Sequence, residues 1–139
     1  MNTNEIKLLV VDDEVAFANT LSQRLKMRNI KAVPVYDGEQ ALSKLKESII
    51  DVVLLDLKMP GMHGLDVLKK IKSMYPDVQV IILTAHGTDK DEEEARLLGS
   101  FDFLKKPADI DNLEQKIRKA YKEKRNIERI KTEAGDNNK

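Results

Sequence analysis

Leu8-Leu9-Val10-Val11-Asp12-Asp13 carries an apolar run straight into two carboxylates. With no polar alternation, such a run fits a strand covered on both faces, as strands of parallel sheets are. Two other runs share the shape: Val52 to Leu55 leads into Asp56, and Val80 to Leu83 into Thr84. A fourth, Phe101 to Leu104, reaches Lys105, Lys106 and Pro107. Ligands of open parallel sheets bind outside the carboxyl ends of the strands, so three carboxylates, a hydroxyl and an ammonium should converge on one crevice. That set suits a divalent cation and a phosphoryl group.

Working outward, strand and helix patterns alternate along the chain. Ile6 to Val11, Ile30 to Val35, Ile50 to Asp56, Val78 to Thr84 and Phe101 to Leu104 read as strands. The first, third and fourth are continuously apolar and should be central. Pro34 cannot donate to a ladder, which sends the second strand to an edge. Between the strands lie stripes at helical spacing: Ala18, Leu21 and Leu25; Ala41, Leu42, Leu45 and Ile49; Leu65, Leu68 and Ile71; Ile110, Leu113, Ile117 and Ala120. Thr88 to Leu98 is more polar, with Thr88 or Asp89 as N-cap and Gly99 as a stop, and predicts a helix with a thin apolar face. Short loops and right-handed crossovers give a doubly wound α/β fold: a five-stranded parallel sheet, order 2-1-3-4-5, with helices on both faces.

The 139 residues allow one domain with a proper core. Charge balances at 24 basic and 24 acidic residues, so nothing global points to nucleic acid or membrane. There is no cysteine, and the start Met1-Asn2-Thr3-Asn4-Glu5 lacks the apolar core of a signal peptide. A reducing cytoplasm is the expected setting.

Each candidate residue also has a plainer reading. Asp13 could cap a helix beginning at Glu14, Asp56 could be a polar strand end, Thr84 a strand residue and Lys106 a solvated loop lysine. Their company outweighs this. Adjacent carboxylates at a sheet edge repel unless a cation sits among them, and magnesium takes oxygen ligands of this kind. A carboxylate so placed can act as a nucleophile toward phosphorus when other donors hold the phosphoryl oxygens.

Asp12-Asp13 after the first apolar run, Asp56-Leu57-Lys58-Met59-Pro60-Gly61, Leu83-Thr84-Ala85 and Phe103-Leu104-Lys105-Lys106-Pro107 together resemble the receiver domain of two-component response regulators, over roughly residues 5 to 122. The resemblance implies that Asp56 accepts a phosphoryl group from a histidine kinase or histidine phosphotransfer protein. It implies that Asp12, Asp13, Asp56 and the backbone carbonyl of Lys58 hold Mg2+, and that Lys106 pairs with the phosphate. Thr84 and Phe103 would form the switch, moving the surface of the fourth helix, fifth strand and fifth helix. Lys58 and His86 would modulate phosphate lifetime, and Lys106-Pro107 would match the family's cis peptide. Such a protein marks itself and promotes its own dephosphorylation; it is not a turnover enzyme.

Several positions depart from the common pattern. Phe103 lacks a tyrosine hydroxyl, which favours its buried state. Lys105 beside Lys106 leaves two candidates for the catalytic lysine that the resemblance implies, with Lys106 chosen because it precedes the proline. His63 stands where an acid is common and reads as a solvated loop histidine.

The expected organisation is a receiver over 1–122 and a helical extension with a disordered tail over 123–139. Lys124 interrupts the apolar stripe that Ile127 and Ile130 would otherwise prolong, and the disorder should begin at Ala134. The extension could alternatively be a linker helix or a dimer contact. With little chain after the receiver, output would pass through a partner protein, without direct nucleic acid or membrane binding, from a monomer or weak dimer. The alternative is the excised receiver of a longer DNA-binding response regulator. A haloacid dehalogenase-type phosphatase would want a second acid where Lys58 stands. A flavin carrier would not face its phosphate with Asp12-Asp13-Glu14.

Overall fold

The computed structural model describes residues 5–137. Strands β1 (Ile6–Val11), β2 (Ile30–Val35), β3 (Val52–Leu55), β4 (Gln79–Thr84) and β5 (Asp102–Lys105) alternate with helices α1 (Val15–Lys26), α2 (Gly38–Glu47), α3 (Gly64–Met74), α4 (Asp89–Leu97) and α5 (Ile110–Asn137). The sheet is parallel throughout, in the order β2-β1-β3-β4-β5. As Pro34 requires, β2 is an edge strand.

All residues of β3 and β4 are buried, because helices cover both faces. Alternate residues divide between two cores. Leu9, Val53, Leu55, Val80 and Ile82 pack with Ala41, Leu45, Val67, Leu68 and Ile71 of α2 and α3. Leu8, Val10, Leu54, Ile81 and Leu83 pack with Ala18, Leu21 and Leu25 of α1 and with Leu113, Ile117 and Ala120 of α5.

Local chemistry sets the helix ends. Asp37 caps α2 by accepting from the Gln40 N–H at 2.8 Å. Thr88 and Asp91 form a reciprocal capping box at the start of α4. Gly99, at φ +99°, takes the left-handed turn after α4. In α4 only Ala95 is buried, which is the thin face the composition predicts.

Four expectations change. Ile49 does not join the α2 stripe: the helix ends at Glu47, and Ile49 stands 69% exposed in the turn toward β3. Asp13 does not cap α1, whose N-cap is Glu14 with no side-chain cap bond. His63 is more than a solvated loop residue: it is the N-cap of α3, its Nδ1 accepting the Leu65 N–H at 3.1 Å.

The largest change is at the end of the chain. Helix α5 runs unbroken for 28 residues, a length of about 42 Å, and Ala134 to Asn137 are helical rather than disordered. Asn138 and Lys139 lie outside the described residues. Lys124 does not break the stripe. It is buried and ion-paired to Asp51 at 2.9 Å, while Lys131, two turns on, reaches Asp77 at 2.6 Å. The body-facing stripe of α5 thus passes from leucine and isoleucine to lysine as it leaves the sheet and meets acids in the loops of the amino edge.

Candidate functional site

At the carboxyl edge three site residues are fixed by their backbone to the neighbouring strand. The Asp12 N–H donates to the Val35 carbonyl at 3.1 Å, that of Asp56 to Val11 at 3.0 Å, and that of Lys106 to Thr84 at 2.9 Å. Asp12, Asp56 and Lys106 therefore each occupy the next rung beyond a paired strand, which leaves them little backbone freedom, and Thr84 is the last residue of β4 itself.

Carboxylate oxygens of Asp12, Asp13 and Asp56 lie within 4.8 Å of one another. Asp12 and Asp56 are buried and Asp13 is half-buried. Asp12 Oδ1 accepts the Glu14 N–H at 3.0 Å, and Asp56 Oδ1 accepts the Leu57 N–H at 2.8 Å. The lysine inside the site is Lys106, whose side chain is 10% exposed; Lys105 points to solvent. The Lys106 ammonium lies 2.6 Å from Asp12, 3.6 Å from Glu14 and 4.0 Å from Asp56, and 4.2 Å above the ring of Phe17. The Lys106–Pro107 peptide is cis.

Burial pushes the Asp56 carboxyl above the ordinary carboxylate range. The Thr84 hydroxyl donates to it and pulls it down, the Asp12 charge pushes it up, and Lys106 and the Leu57 N–H pull it down without cancelling the rise. For Lys106, burial lowers the pKa, and the hydrogen bond to Asp12 with the charges of Asp12, Asp56 and Glu14 overcomes it, leaving the ammonium above its usual value. Three carboxylates thus face one buried ammonium. Such oxygen-rich, anion-surplus surroundings fit a hard divalent cation, which would relieve the repulsion that raises Asp56.

Thr84 is fully buried, and its Oγ1 also accepts the His86 N–H at 3.2 Å. Phe103 is half-buried and packs at the edge of the core. Gly87 has no side chain for a reason: a Cβ there would come within 2.5 Å of the Phe103 ring and 2.9 Å of the Thr84 methyl. Thr84, Gly87 and Phe103 therefore form one packed unit behind the carboxylates. Gly64 plays a related part below Asp56, where a Cβ would collide with the Asp56 carbonyl. Lys58 and His86 are both exposed, on the loops after β3 and β4.

Sequence reading saw Glu14 only as part of the acidic stretch Asp12-Asp13-Glu14, not as a partner of Lys106, and missed Phe17. The available signal was their place, one and four residues after Asp13, at the start of a helix that opens from the same sheet edge.

The family model for the response regulator receiver domain matches residues 8–118. The transcriptional regulatory protein ZraR of Escherichia coli K12 is 36% identical over 120 residues, which is 86% of this chain and 27% of that protein. The chain thus spans about a quarter of that regulator's length. Sporulation initiation phosphotransferase F of Bacillus subtilis is 34% identical over 113 residues, covering 81% of this chain and 91% of that one. A crystal structure of a response regulator receiver domain from Clostridium thermocellum superposes with a TM-score of 0.83 at 32% identity, covering 88% of this chain and 98% of that one. Family match, sheet order and the ordered set of sheet-edge residues agree, and the chain belongs to the receiver domains of two-component response regulators.

Proposed function

We propose that this protein is a phosphorylation-dependent switch or phosphorelay carrier in which Asp56 is the phosphoacceptor. The observation carrying this reading is the convergence of Asp12, Asp13, Asp56, Thr84 and Lys106 on one sheet edge, with Asp56 buried at its centre. The donor is a phosphohistidine of a kinase or a phosphotransfer protein. An Asp56 carboxylate oxygen forms the new bond to phosphorus, the P–N bond of the phosphohistidine breaks, and its electron pair stays on the imidazole nitrogen. Hydrolysis of the resulting acyl phosphate returns Asp56 and inorganic phosphate.

Asp12, Asp13, Asp56 and the Lys58 carbonyl would hold Mg2+. When bound, that ion supplies charge neutralisation for the incoming phosphoryl oxygens. Lys106 pairs with one phosphoryl oxygen, and the Thr84 hydroxyl turns from Asp56 to donate to another. Because Thr84, Gly87 and Phe103 are packed together, that turn shifts the Phe103 ring and with it the α4–β5–α5 surface, through which an output partner reads the state. Lys58 and His86 border the approach to Asp56 and so modulate phosphate lifetime.

The receiver proper is residues 1–122, with 123–139 as its extension. Among the described residues no helix is long and apolar enough to cross a membrane, and a cytoplasmic setting belongs to this reading.

Intact-mass spectrometry after incubation with acetyl phosphate tests the assignment. The expected result is a gain of one phosphoryl group that requires magnesium, is abolished by a chelator and is absent in Asp56→Asn. A gain that persists in Asp56→Asn moves the acceptor elsewhere.

A further inference from the structure

Phe17 lies in the first turn of α1, half-buried, on the wall of a pocket of about 230 Å3 shared with Leu21, Leu83, Pro107 and Ile110. The Lys106 ammonium stands over its ring, 4.2 Å from the centroid. Lys106 therefore has four attachments: Asp12 at 2.6 Å, Glu14 at 3.6 Å, Asp56 at 4.0 Å and the Phe17 ring.

These attachments divide into two kinds. Asp12 and Asp56 belong to the three-carboxylate set; Glu14 and Phe17 do not. A divalent cation among those carboxylates repels an ammonium held on Asp12 and competes for the same oxygens. The lysine must nevertheless stay aimed at the phosphoryl position. An aromatic face is suited to this, because it attracts a cation through its quadrupole without adding an anion that would bind the metal or repel Asp56. Leucine would fill the space but offer no such attraction.

We infer that the face of Phe17 is a positioning seat that keeps the Lys106 ammonium at the site when a divalent cation engages Asp12. This inference rests on the functional reading above, since it assumes that a cation takes the carboxylates. Phe17 acts through Lys106 and touches no reacting atom.

The test combines NMR of lysine-labelled protein with phosphorylation kinetics. In the wild type the Lys106 methylene next to the ammonium carries an upfield ring-current shift and keeps it through a magnesium titration. Phe17→Leu loses the shift, while Phe17→Tyr restores it. With acetyl phosphate at saturating magnesium, Phe17→Leu gains its phosphoryl group more slowly, on the order of fivefold, and Phe17→Tyr recovers the rate. Thermal melts confirm that both variants are folded. The seat is overturned if the wild-type shift is lacking, if magnesium abolishes it, or if Phe17→Leu matches the wild-type rate. A wild type that keeps the shift through the titration yet takes no phosphoryl group instead overturns the functional reading and leaves the contact standing.

Discussion

The two edges of the sheet each bury an aspartate against a lysine, and the pairs are built for different ends. At the amino edge Asp51 is saturated: Oδ1 accepts from Lys124 at 2.9 Å and Oδ2 from the Lys7 N–H at 2.9 Å, while Lys124 also reaches Glu128 at 3.2 Å. At the carboxyl edge Lys106 is shared among Asp12, Asp56 and Glu14, and Asp13 stands beside them. Where one buried acid has a donor on each of its oxygens, the pair is a staple. Where several buried and half-buried acids crowd one lysine, the protein holds a negative surplus that a divalent cation can neutralise.

The sharpest way to break this comparison is to remove one lysine from the staple. Lys124→Ala leaves Asp51 buried without its cation and should cost about 3 kcal/mol, seen as a lowered urea midpoint with an unchanged slope. Replacing both partners, in Asp51→Asn with Lys124→Met, keeps an acceptor for Lys7 and should recover most of that loss. If the single variant is as stable as the wild type, the amino-edge pair is no staple. Burial lowers the Lys124 pKa, and its bonds to Asp51 and Glu128 outweigh that, so its net shift is upward. The stability it contributes is therefore complete below the ordinary lysine value and lost only as pH climbs through the raised one.

Next in size is the response of the other edge to magnesium. At about a hundredfold excess over its dissociation constant, an ion binding only the folded state adds about 2.7 kcal/mol. The melting temperature should rise with magnesium in the wild type and much less in Asp13→Asn. An equal rise in both would remove Asp13 from the metal set.

A smaller effect distinguishes Asp56. Its folded pKa is raised, chiefly by burial, so the folded state binds more protons than the unfolded one across the window above the ordinary aspartate value. Without magnesium, wild-type stability should fall as pH rises through that window, and Asp56→Asn should lack this slope. The comparison is chemical denaturation of both proteins from acid to neutral pH. A common slope would mean that Asp56 does not carry the imbalance.

The smallest effect is at the outer end of α5. The Lys131–Asp77 pair is largely exposed on the lysine side, and Lys131→Ala should change stability by less than about 0.5 kcal/mol. A loss near that of Lys124→Ala would make the outer pair a second staple.

Pattern and chemistry, which are properties of neighbouring residues in the chain, made most of this legible. Continuous apolar runs marked the covered strands, Pro34 marked an edge, and polar residues at successive run ends marked the site. Ile49 was misread because periodicity counts apolar residues without knowing that α2 has already stopped at Glu47. Lys124 was misread because a lysine in an apolar stripe looks like an interruption until its acid, Asp51, is seen 73 residues away in sequence.

By itself, then, the sequence determined the order of elements, the central strands and the acids, hydroxyl and ammonium of the sheet edge, because each is written in local spacing. Only the tertiary structure seated Lys106 among the carboxylates with Lys105 left in solvent, placed Phe17 and Glu14 beside that ammonium, packed Phe103 on Gly87 and Thr84, and bound the far half of α5 to the body. Those choices depend on which side chains from distant segments share a low-dielectric space, and only the closed fold fixes that.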